Sequence, residues 1–309
     1  MKAKSTSVIP NREGCKLQNP NKPNDEHSGS EKISIQYHRV NANHGALWLK
    51  QGYKLVRSSI GSWLGISTLL FISLLLPGIN TIAALLMPIG IGGLMIGCHQ
   101  KSGNGLLKFK HLFAGIKSDG KELLVLSLIY ALASISIVIA TRYLLLLGGI
   151  DVAAAFPDNV DQLTNEQLLE WMRSKELSSL YPIFINSLIS LFLMIPLFMA
   201  YWFAPALIVL KKMTAIDSMK LSFIACRSNL RTFLIYGLLF VSYLMLFLLF
   251  ISILAAIIPP LAGIAILMGI LLIIAISIAT IYTAYIDIFV SDNATSDDGN
   301  QHQDSSMLA

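Results

Sequence analysis

Charged residues are missing from four long stretches of the chain. No Lys, Arg, Asp or Glu occurs in residues 58–100, 123–141, 177–210 or 232–286. A helix needs about 20 apolar residues to cross a hydrocarbon core of about 30 Å, and only a segment that satisfies its own backbone hydrogen bonds is stable there. The four stretches therefore predict membrane-spanning helices, whereas a β-barrel would show short segments of alternating polarity.

Two of the stretches are too long for a single crossing. The first carries Pro-Gly-Ile-Asn at residues 77–80, and the last carries Pro-Pro-Leu-Ala-Gly at residues 259–263, both typical of turns. Each is interpreted as two spans, although the first pair could also be re-entrant because its first arm is short. The predicted fold class is all-α, a polytopic membrane helical bundle with six transmembrane helices. The spans of this 44–289 membrane domain are expected at about 60–77, 80–99, 122–147, 183–210, 231–257 and 261–286.

Each pair of spans is preceded by a basic amphipathic segment. We call residues 44–59 the first elbow, 100–121 the second elbow and 211–231 the third elbow. Large apolar residues recur in the elbows at helical spacing. They are Leu49, Tyr53, Val56 and Ile60 in the first, Leu106, Phe109, Phe113 and Ile116 in the second, and Ile216, Met219 and Phe223 in the third. Such helices can lie in the headgroup layer with their basic side chains facing anionic lipid.

The bases of the elbows are the candidate binding residues of the chain, and anionic phospholipid headgroups are their expected partners. The candidates are Lys50, Lys54, Arg57, Lys108, Lys110, Lys117, Lys211, Lys212, Lys220, Arg227 and Arg231. The repeated order of an elbow and two spans suggests three parallel units, since internal repeats are common in transporter folds. The alternative, that basic interfacial helices simply resemble one another, stays open.

The distribution of bases predicts the orientation. With six spans both termini lie on one side, and that side carries 20 of the 23 Lys and Arg residues. Because Lys and Arg are retained on the cytoplasmic face, both termini should be cytoplasmic. The polar tails, 1–43 and the acidic 290–309, are expected to be disordered. The opposite, periplasmic side carries an acidic loop, 148–181, in which Thr164 and Gln167 form a capping-box pattern that predicts a short helix.

Composition agrees with a membrane protein. Of the 309 residues, 54% are hydrophobic and 13% are charged, with a mean hydropathy of +0.64. A soluble domain carries about 25% charged residues. The net charge of +5 follows from the bases retained on one side, so it indicates anionic lipid as a partner and no nucleic acid.

Candidate chemistry is sparse. Cys98 and His99 could meet His111 and Cys226 at a metal site, but their spacing matches no zinc pattern, so buried cysteines and interfacial histidines are the preferred interpretation. The acidic loop has no cysteine, and no disulfide is expected. No G-x-S-x-G, H-E-x-x-H or phosphate-binding loop occurs. We therefore expect no cofactor, no metal and no enzymatic activity.

Two features of the spans have alternative interpretations. Gly93 and Gly97 form one G-x-x-x-G, which indicates close helix packing either within one bundle or between two copies. Arg142 lies near the end of the third span, where it can extend to the interface or bind an anionic ligand.

Four short motifs resemble those of a known family. They are Leu-Phe-Ala-Gly at 112–115, Trp-Phe-Ala-Pro-Ala-Leu at 202–207, Ser-Phe-x-Ala-Cys-x-x-Asn-x-Arg at 222–231 and Tyr-x-Ala-Tyr-x-Asp-Ile-Phe at 282–289. Over about 46–289 the chain resembles an uncharacterised family of six-span inner-membrane proteins found mainly in proteobacteria. It is more faintly similar to the membrane domain of some glycerophosphodiester phosphodiesterases. The resemblance implies a bacterial inner-membrane location and no particular chemistry.

Three functions are compatible with these patterns. The lack of charge within the spans favours a structural or accessory role in the envelope, because coupled transport usually needs ionisable groups there. The alternative is a transporter or channel for a neutral or lipidic solute, and a membrane enzyme ranks third. A cavity lined by hydroxyl groups of the spans would favour transport, and an apolar core would favour the structural role. The hydroxyl groups in question are those of Ser127, Ser134, Ser187, Ser190 and Thr280.

Overall fold

A computed structural model describes most of the membrane domain. The described residues are 37–76, 78–102, 107–152, 163–174 and 181–290. Within them the chain forms helices and turns and no strands. Of the predicted tails 1–43 and 290–309, residues 1–36 and 291–309 lie outside the described residues. So do residues 103–106 of the second elbow, which include Leu106, and residues 153–162 and 175–180 of the acidic loop.

Ten α-helices and one 3₁₀ turn occur in the described part of the chain. They are α1 His44–Arg57, α2 Ile60–Leu75, α3 Ile79–Ser102, the 3₁₀ turn Phe109–Phe113, α4 Ala114–Leu147, α5 Asn165–Ser174, α6 Tyr181–Trp202, α7 Ala204–Lys211, α8 Ala215–Ser228, α9 Leu230–Ile257 and α10 Pro259–Phe289.

Five of the helical segments are long and apolar enough to cross a membrane. They are α3, the 3₁₀ turn together with α4, α6 together with α7, α9, and α10. A sixth would come from α1 and α2, which meet at a bend of 100°. The 16 residues of α2 extend over about 24 Å at 1.5 Å per residue, so this arm is short. The all-α arrangement is compatible with an integral membrane protein.

Specific residues turn or break the helices. Gly78, between α2 and α3, has a φ of 80°, which a residue with a Cβ rarely adopts. The break between α6 and α7 follows from Pro205, which has no N–H to donate to the backbone carbonyl of Tyr201. Ser222 of α8 stabilises this break, because its hydroxyl accepts from Phe203 N–H at 3.0 Å and donates to Met199 O at 2.7 Å.

The second and third elbows pack against the second helix of the hairpin before them, and the first elbow packs against the second helix of the last hairpin. The first elbow, α1, contacts α10, and the third elbow contacts α6 through α8. The second elbow, with the 3₁₀ turn and the start of α4, contacts α3, where Gly93 and Gly115 lie backbone to backbone. Because α1 contacts the last hairpin, the same contact recurs three times and the series closes on itself. The three-unit interpretation of the sequence agrees with this pattern.

The buried face of α1 combines glycines with Trp48, Leu49 and Val56, whereas that of α8 is built from small residues. In α8 they are Ala215, Ser218, Ser222, Ala225 and Cys226. Several large residues of the predicted apolar faces are exposed on the bundle, where a helix in the headgroup layer would turn them towards lipid: Tyr53, Ile60, Phe109, Phe113, Ile116 and Ile216. Only Leu49 and Val56 of the predicted face of α1 are buried. The small buried residues of α8 allow close helix packing, which holds helices together in lipid where no hydrophobic drive does so.

Two further expectations can be compared with the structure. The short helix predicted at Thr164 is confirmed, since α5 begins at Asn165 and the Thr164 N–H donates to Gln167 Oε1 at 2.9 Å.

Residues 37–43, which the sequence analysis assigned to the tail, contact the bundle instead. Their contacts are described with the candidate site below.

Candidate functional site

The eleven candidate bases lie at one end of the bundle, which we call the elbow end. It consists of α1, the 3₁₀ turn, α8 and the adjoining termini of α3, α4, α7, α9 and α10. The bases are all exposed: Lys50, Lys54, Arg57, Lys108, Lys110, Lys117, Lys211, Lys212, Lys220, Arg227 and Arg231. The structure therefore brings bases that are 181 positions apart in the sequence onto one layer.

Three contacts join the second elbow and the adjoining Glu122 to the third elbow, one of them a hydrogen bond of 2.7 Å from the Lys212 ammonium to the Ser118 hydroxyl. The Lys212 ammonium lies 2.7 Å from the Asp119 carboxylate, at the point where α4 is kinked. The Glu122 carboxylate accepts from the Ala215 N–H at 2.8 Å, which satisfies a free donor in the first turn of α8. Asp119 and Glu122 each lie within two residues of a lysine in the sequence. Nothing in the sequence spacing predicts that their partners are Lys212 and Ala215 of the third elbow.

Asp287 fastens the first elbow to the last helix. Its carboxylate accepts from Trp48 Nε1 at 2.7 Å and lies 2.8 Å from His44 Nδ1. The Thr283 hydroxyl, one turn earlier in α10, donates to Trp48 O at 3.1 Å. The sequence pattern does not reveal this site, because Asp287 stands beside an acidic tail. The signal that could have found it is its place within the 282–289 motif.

Asn229, at the start of α9, holds the segment before α1. Its side-chain oxygen accepts from the Val40 N–H at 2.9 Å, and its amide donates to His38 O at 3.0 Å. The His38 N–H donates in turn to Ile288 O at 2.8 Å. This segment therefore joins the start of α1, in the first unit, to α9 and α10, in the third unit, at the elbow end.

Aromatic rings fill the centre of the elbow end. The ring centroids of Trp48 and Phe233 are 5.2 Å apart, those of Trp202 and Phe233 are 5.8 Å apart, and those of Phe203 and Phe289 are 5.4 Å apart. Such edge-to-face pairs contribute about 0.5–1.5 kcal/mol each beyond their burial. Phe203 is fully buried between units.

The cysteines and histidines do not form a metal site within the described residues. No three His, Cys, Asp or Glu side chains come together there as a possible metal-binding group. His111 Nδ1 accepts from the Lys108 N–H at 3.0 Å, and His99 packs on the ring of Tyr282. Burial raises the pKa of the Cys226 thiol to about 12, so this thiol is neutral and unreactive near pH 7.

Most of the candidate bases have no acidic partner among the described residues. Lys212 pairs with Asp119, and Lys220 lies 4.0 Å from Asp217. The other nine of the eleven make no ion pair with a described residue. A layer of exposed cations without acidic partners attracts anions, and its attraction is strongest where many bases share one surface. This is the electrostatic property that contact with anionic headgroups requires.

Two cavities lie beside the helices. One, of about 660 Å³, is a groove between α9 and α10 under α1. The other, of about 540 Å³, lies at the opposite end of α4 and is lined by Arg142 and Asp151. Neither is lined by the hydroxyl groups that would indicate transport. Four of those hydroxyls, Ser127, Ser134, Ser187 and Thr280, donate to the backbone of their own helix.

The interior of the bundle also explains the glycine motif. Gly93 and Gly97 in α3 face the second elbow, where a methyl group on Gly97 would lie 2.7 Å from the Leu107 side chain. The structure therefore uses this motif for packing within one chain.

No protein-family model, curated protein or solved structure matches the chain. The four motifs that carry the resemblance all lie at the elbow end. Leu112 and Gly115 are buried beside α3, residues 202–207 form the break between α6 and α7, residues 222–231 carry Ser222 and Asn229, and residues 282–289 carry Asp287. Each motif thus occupies a contact between units.

Proposed function

We propose that this chain is an integral inner-membrane protein of bacteria with a structural or accessory role in the envelope, and that its elbow end contacts anionic phospholipid headgroups. The observation that carries the proposal is the single layer of eleven exposed bases at one end of a bundle of apolar helices. Polybasic segments beside spans are attracted to the anionic lipids of the cytoplasmic leaflet by about 1 kcal/mol per base near the surface.

The proposal includes six spans and two cytoplasmic termini. In this arrangement α1 lies in the headgroup layer and α2 is a short first span, which the 100° bend between them favours. The positive-inside rule then places the elbow end on the cytoplasmic side. The resemblance to the family of proteobacterial inner-membrane proteins is part of the same proposal and rests on the four motifs.

A structural role fits the interior better than catalysis or transport. The polar contacts among the described residues, such as those of Asp287 and Asn229, join elements of the bundle to each other. The described hydroxyl groups of the spans mostly bond to the backbone of their own helix. We therefore propose no enzymatic activity and favour the structural role over a transporter or channel.

Reporter fusions in a bacterial host test the orientation. A periplasm-dependent reporter should be inactive when fused at Ala309 and active when fused after Ser174, and a cytoplasm-dependent reporter should give the reverse pattern. Activity of the periplasmic reporter at Ala309 would contradict the proposed topology.

Lipid association is tested by neutralising the second elbow. The triple variant Lys108→Gln, Lys110→Gln, Lys117→Gln should bind vesicle-derived phosphatidylglycerol more weakly than the native protein in co-purification from mixed phosphatidylglycerol and phosphatidylcholine membranes. Because attraction depends on the sign of the surface, the matched variant Arg142→Gln, Arg173→Gln at the opposite end should keep the native lipid ratio. Equal ratios in both variants would remove the assignment of the elbow end to anionic lipid.

A further inference from the structure

The groove between α9 and α10 is basic at its mouth, where α1 crosses it, and closed at its other end. Its walls are apolar side chains of both helices, among them Leu239, Leu244 and Ile273. α1 covers the groove at the elbow end. At the other end the ring of Phe247 packs directly on Gly269, where no room is left for a Cβ atom.

The groove extends from the elbow end towards the middle of the bundle. Its lining residues in α9 run from Leu239 to Phe247, which is about 12 Å at 1.5 Å per residue. In α10 they run from Gly269 to Ile276. The long axis of the groove therefore follows the helices, as an acyl chain in a bilayer does.

One charged residue lines the groove within the described part of the chain, and it is Lys50 at the mouth. Lys54 and Arg57 follow it at i+4 and i+7, so the three bases share an exposed face of α1. No carboxylate lines the groove among the described residues. A ligand that complements this site has an apolar body and an anionic group at one end.

We propose that this groove binds one anionic phospholipid of the surrounding bilayer, with an acyl chain between α9 and α10 and the headgroup phosphate at Lys50. The inference rests on the proposed function, because it needs the elbow end to lie at the headgroup layer. It goes further in assigning one site, one chain-binding groove and one phosphate-binding lysine. A Lys ammonium is a compact point charge that suits a phosphate at the mouth of an apolar groove.

Photo-crosslinking tests the groove directly. The full-length protein is placed in phosphatidylcholine vesicles that contain phosphatidylglycerol with a diazirine on its acyl chain, and the crosslinked peptides are identified by mass spectrometry. The label should concentrate on residues 239–247 and 269–276. An even distribution over the lipid-exposed helices would overturn the proposal.

Filling the groove should remove the label. Gly269→Leu displaces the Phe247 ring into the groove. Labelling of the groove should then fall about fivefold or more, because the affinity for the lipid should fall by a similar factor. Gly263→Leu makes the same change in the same helix at a position with open space around it, and it should label like the native protein. Equal labelling of the two variants would overturn the proposal.

A second pair covers the case in which Gly269→Leu does not fold. Ala46 and Gln51 are both exposed in α1, but only Ala46 lines the groove. Ala46→Phe should therefore reduce the label and Gln51→Phe should leave it unchanged. The reverse result, or no difference, would overturn the site.

Headgroup preference separates this site from the general lipid layer. Unlabelled phosphatidylglycerol should compete for the groove label severalfold better than phosphatidylcholine, and Lys50→Gln should abolish that preference. The triple variant of the second elbow should keep the groove label while losing bulk phosphatidylglycerol enrichment. If the native protein enriches phosphatidylglycerol but its groove label shows no headgroup preference, the groove site fails while the proposed function stands.

Discussion

The two ends of the bundle differ sharply in how they are held together. At the elbow end Trp48, Phe203 and Leu207 are fully buried, and side-chain hydrogen bonds join all three units. Towards the opposite end α6 has no buried residue, and α9 buries only Ile251 in its second half. The units are therefore tied together at one end, while α6 and the second half of α9 leave most of their apolar side chains exposed.

This difference indicates where stability resides. Between helices in lipid there is no hydrophobic drive, so close packing and hydrogen bonds decide which helices stay together. The elbow end has both, through its small residues and through acceptors such as Asp287 and Asn229. Substitutions there should cost much more than equivalent substitutions at the far end.

The largest effect is expected from enlarging a glycine at the elbow end. Gly115→Val would push a side chain into the Ile89 carbonyl of α3 and should destabilise the protein by about 1–3 kcal/mol or more. Gly263→Val, in open space at the far end, should change the melting temperature little. Thermal unfolding of the detergent-solubilised protein measures both, and equal losses would contradict the comparison.

Removing the acceptor of the first elbow should have the next largest effect. Asp287→Ala leaves Trp48 Nε1 and His44 without their partner and should cost about 1–3 kcal/mol. Asp287→Asn keeps an oxygen acceptor and should recover part of that loss. Denaturant or thermal unfolding distinguishes them, and a fully stable Asp287→Ala would show that α1 is held mainly by packing.

Cys226 reports on the tightness of the elbow end with a smaller effect. Because burial raises its thiol pKa to about 12, the thiol stays protonated as the pH rises from 7 to 9. In a variant that lacks Cys15 and Cys98, maleimide labelling should therefore be slow across this range. An added cysteine at the exposed Ser118 should react quickly and faster with rising pH. Comparable rates at the two positions would show that α8 opens readily.

The smallest effect is expected from the exposed ion pair between the second and third elbows. Lys212 is 62% exposed and its partner Asp119 is 17% exposed, so solvent screens the pair. Lys212→Gln should cost less than about 1 kcal/mol. Lys220→Gln should cost still less, because Lys220 is 70% exposed and its partner Asp217 is 62% exposed. A loss as large as that of Asp287→Ala would mean that the Lys212 contact holds the elbows together.

The helices were predictable from the chain because they depend on local pattern. Absent charge and the two proline-containing turns predicted an all-α membrane bundle, and Thr164 with Gln167 predicted α5. The break at Phe203 was harder to predict, because several prolines lie within spans. What distinguishes Pro205 is the nearby Ser222 hydroxyl, which accepts a hydrogen bond from the Phe203 N–H.

The contacts between units were beyond the sequence pattern. Periodicity identifies large residues such as Tyr53 and Phe113, which are exposed, but it does not show that Trp48 and the small residues of α8 make the contacts between units. Asp287 and Trp48 are 239 positions apart, and no spacing rule links them. The candidate bases could be named from the sequence, whereas their collection into one layer depends on these long-range contacts.

Hydrogen exchange in lipid nanodiscs tests the central claim most directly. The full-length protein is compared in phosphatidylcholine alone and in phosphatidylcholine with phosphatidylglycerol. Adding the anionic lipid should slow exchange in α1 and α8 at the elbow end and leave α5 at the far end unchanged. Slowing in α5 to the same degree, or no slowing in α1 and α8, would contradict the assignment of the elbow end to anionic headgroups.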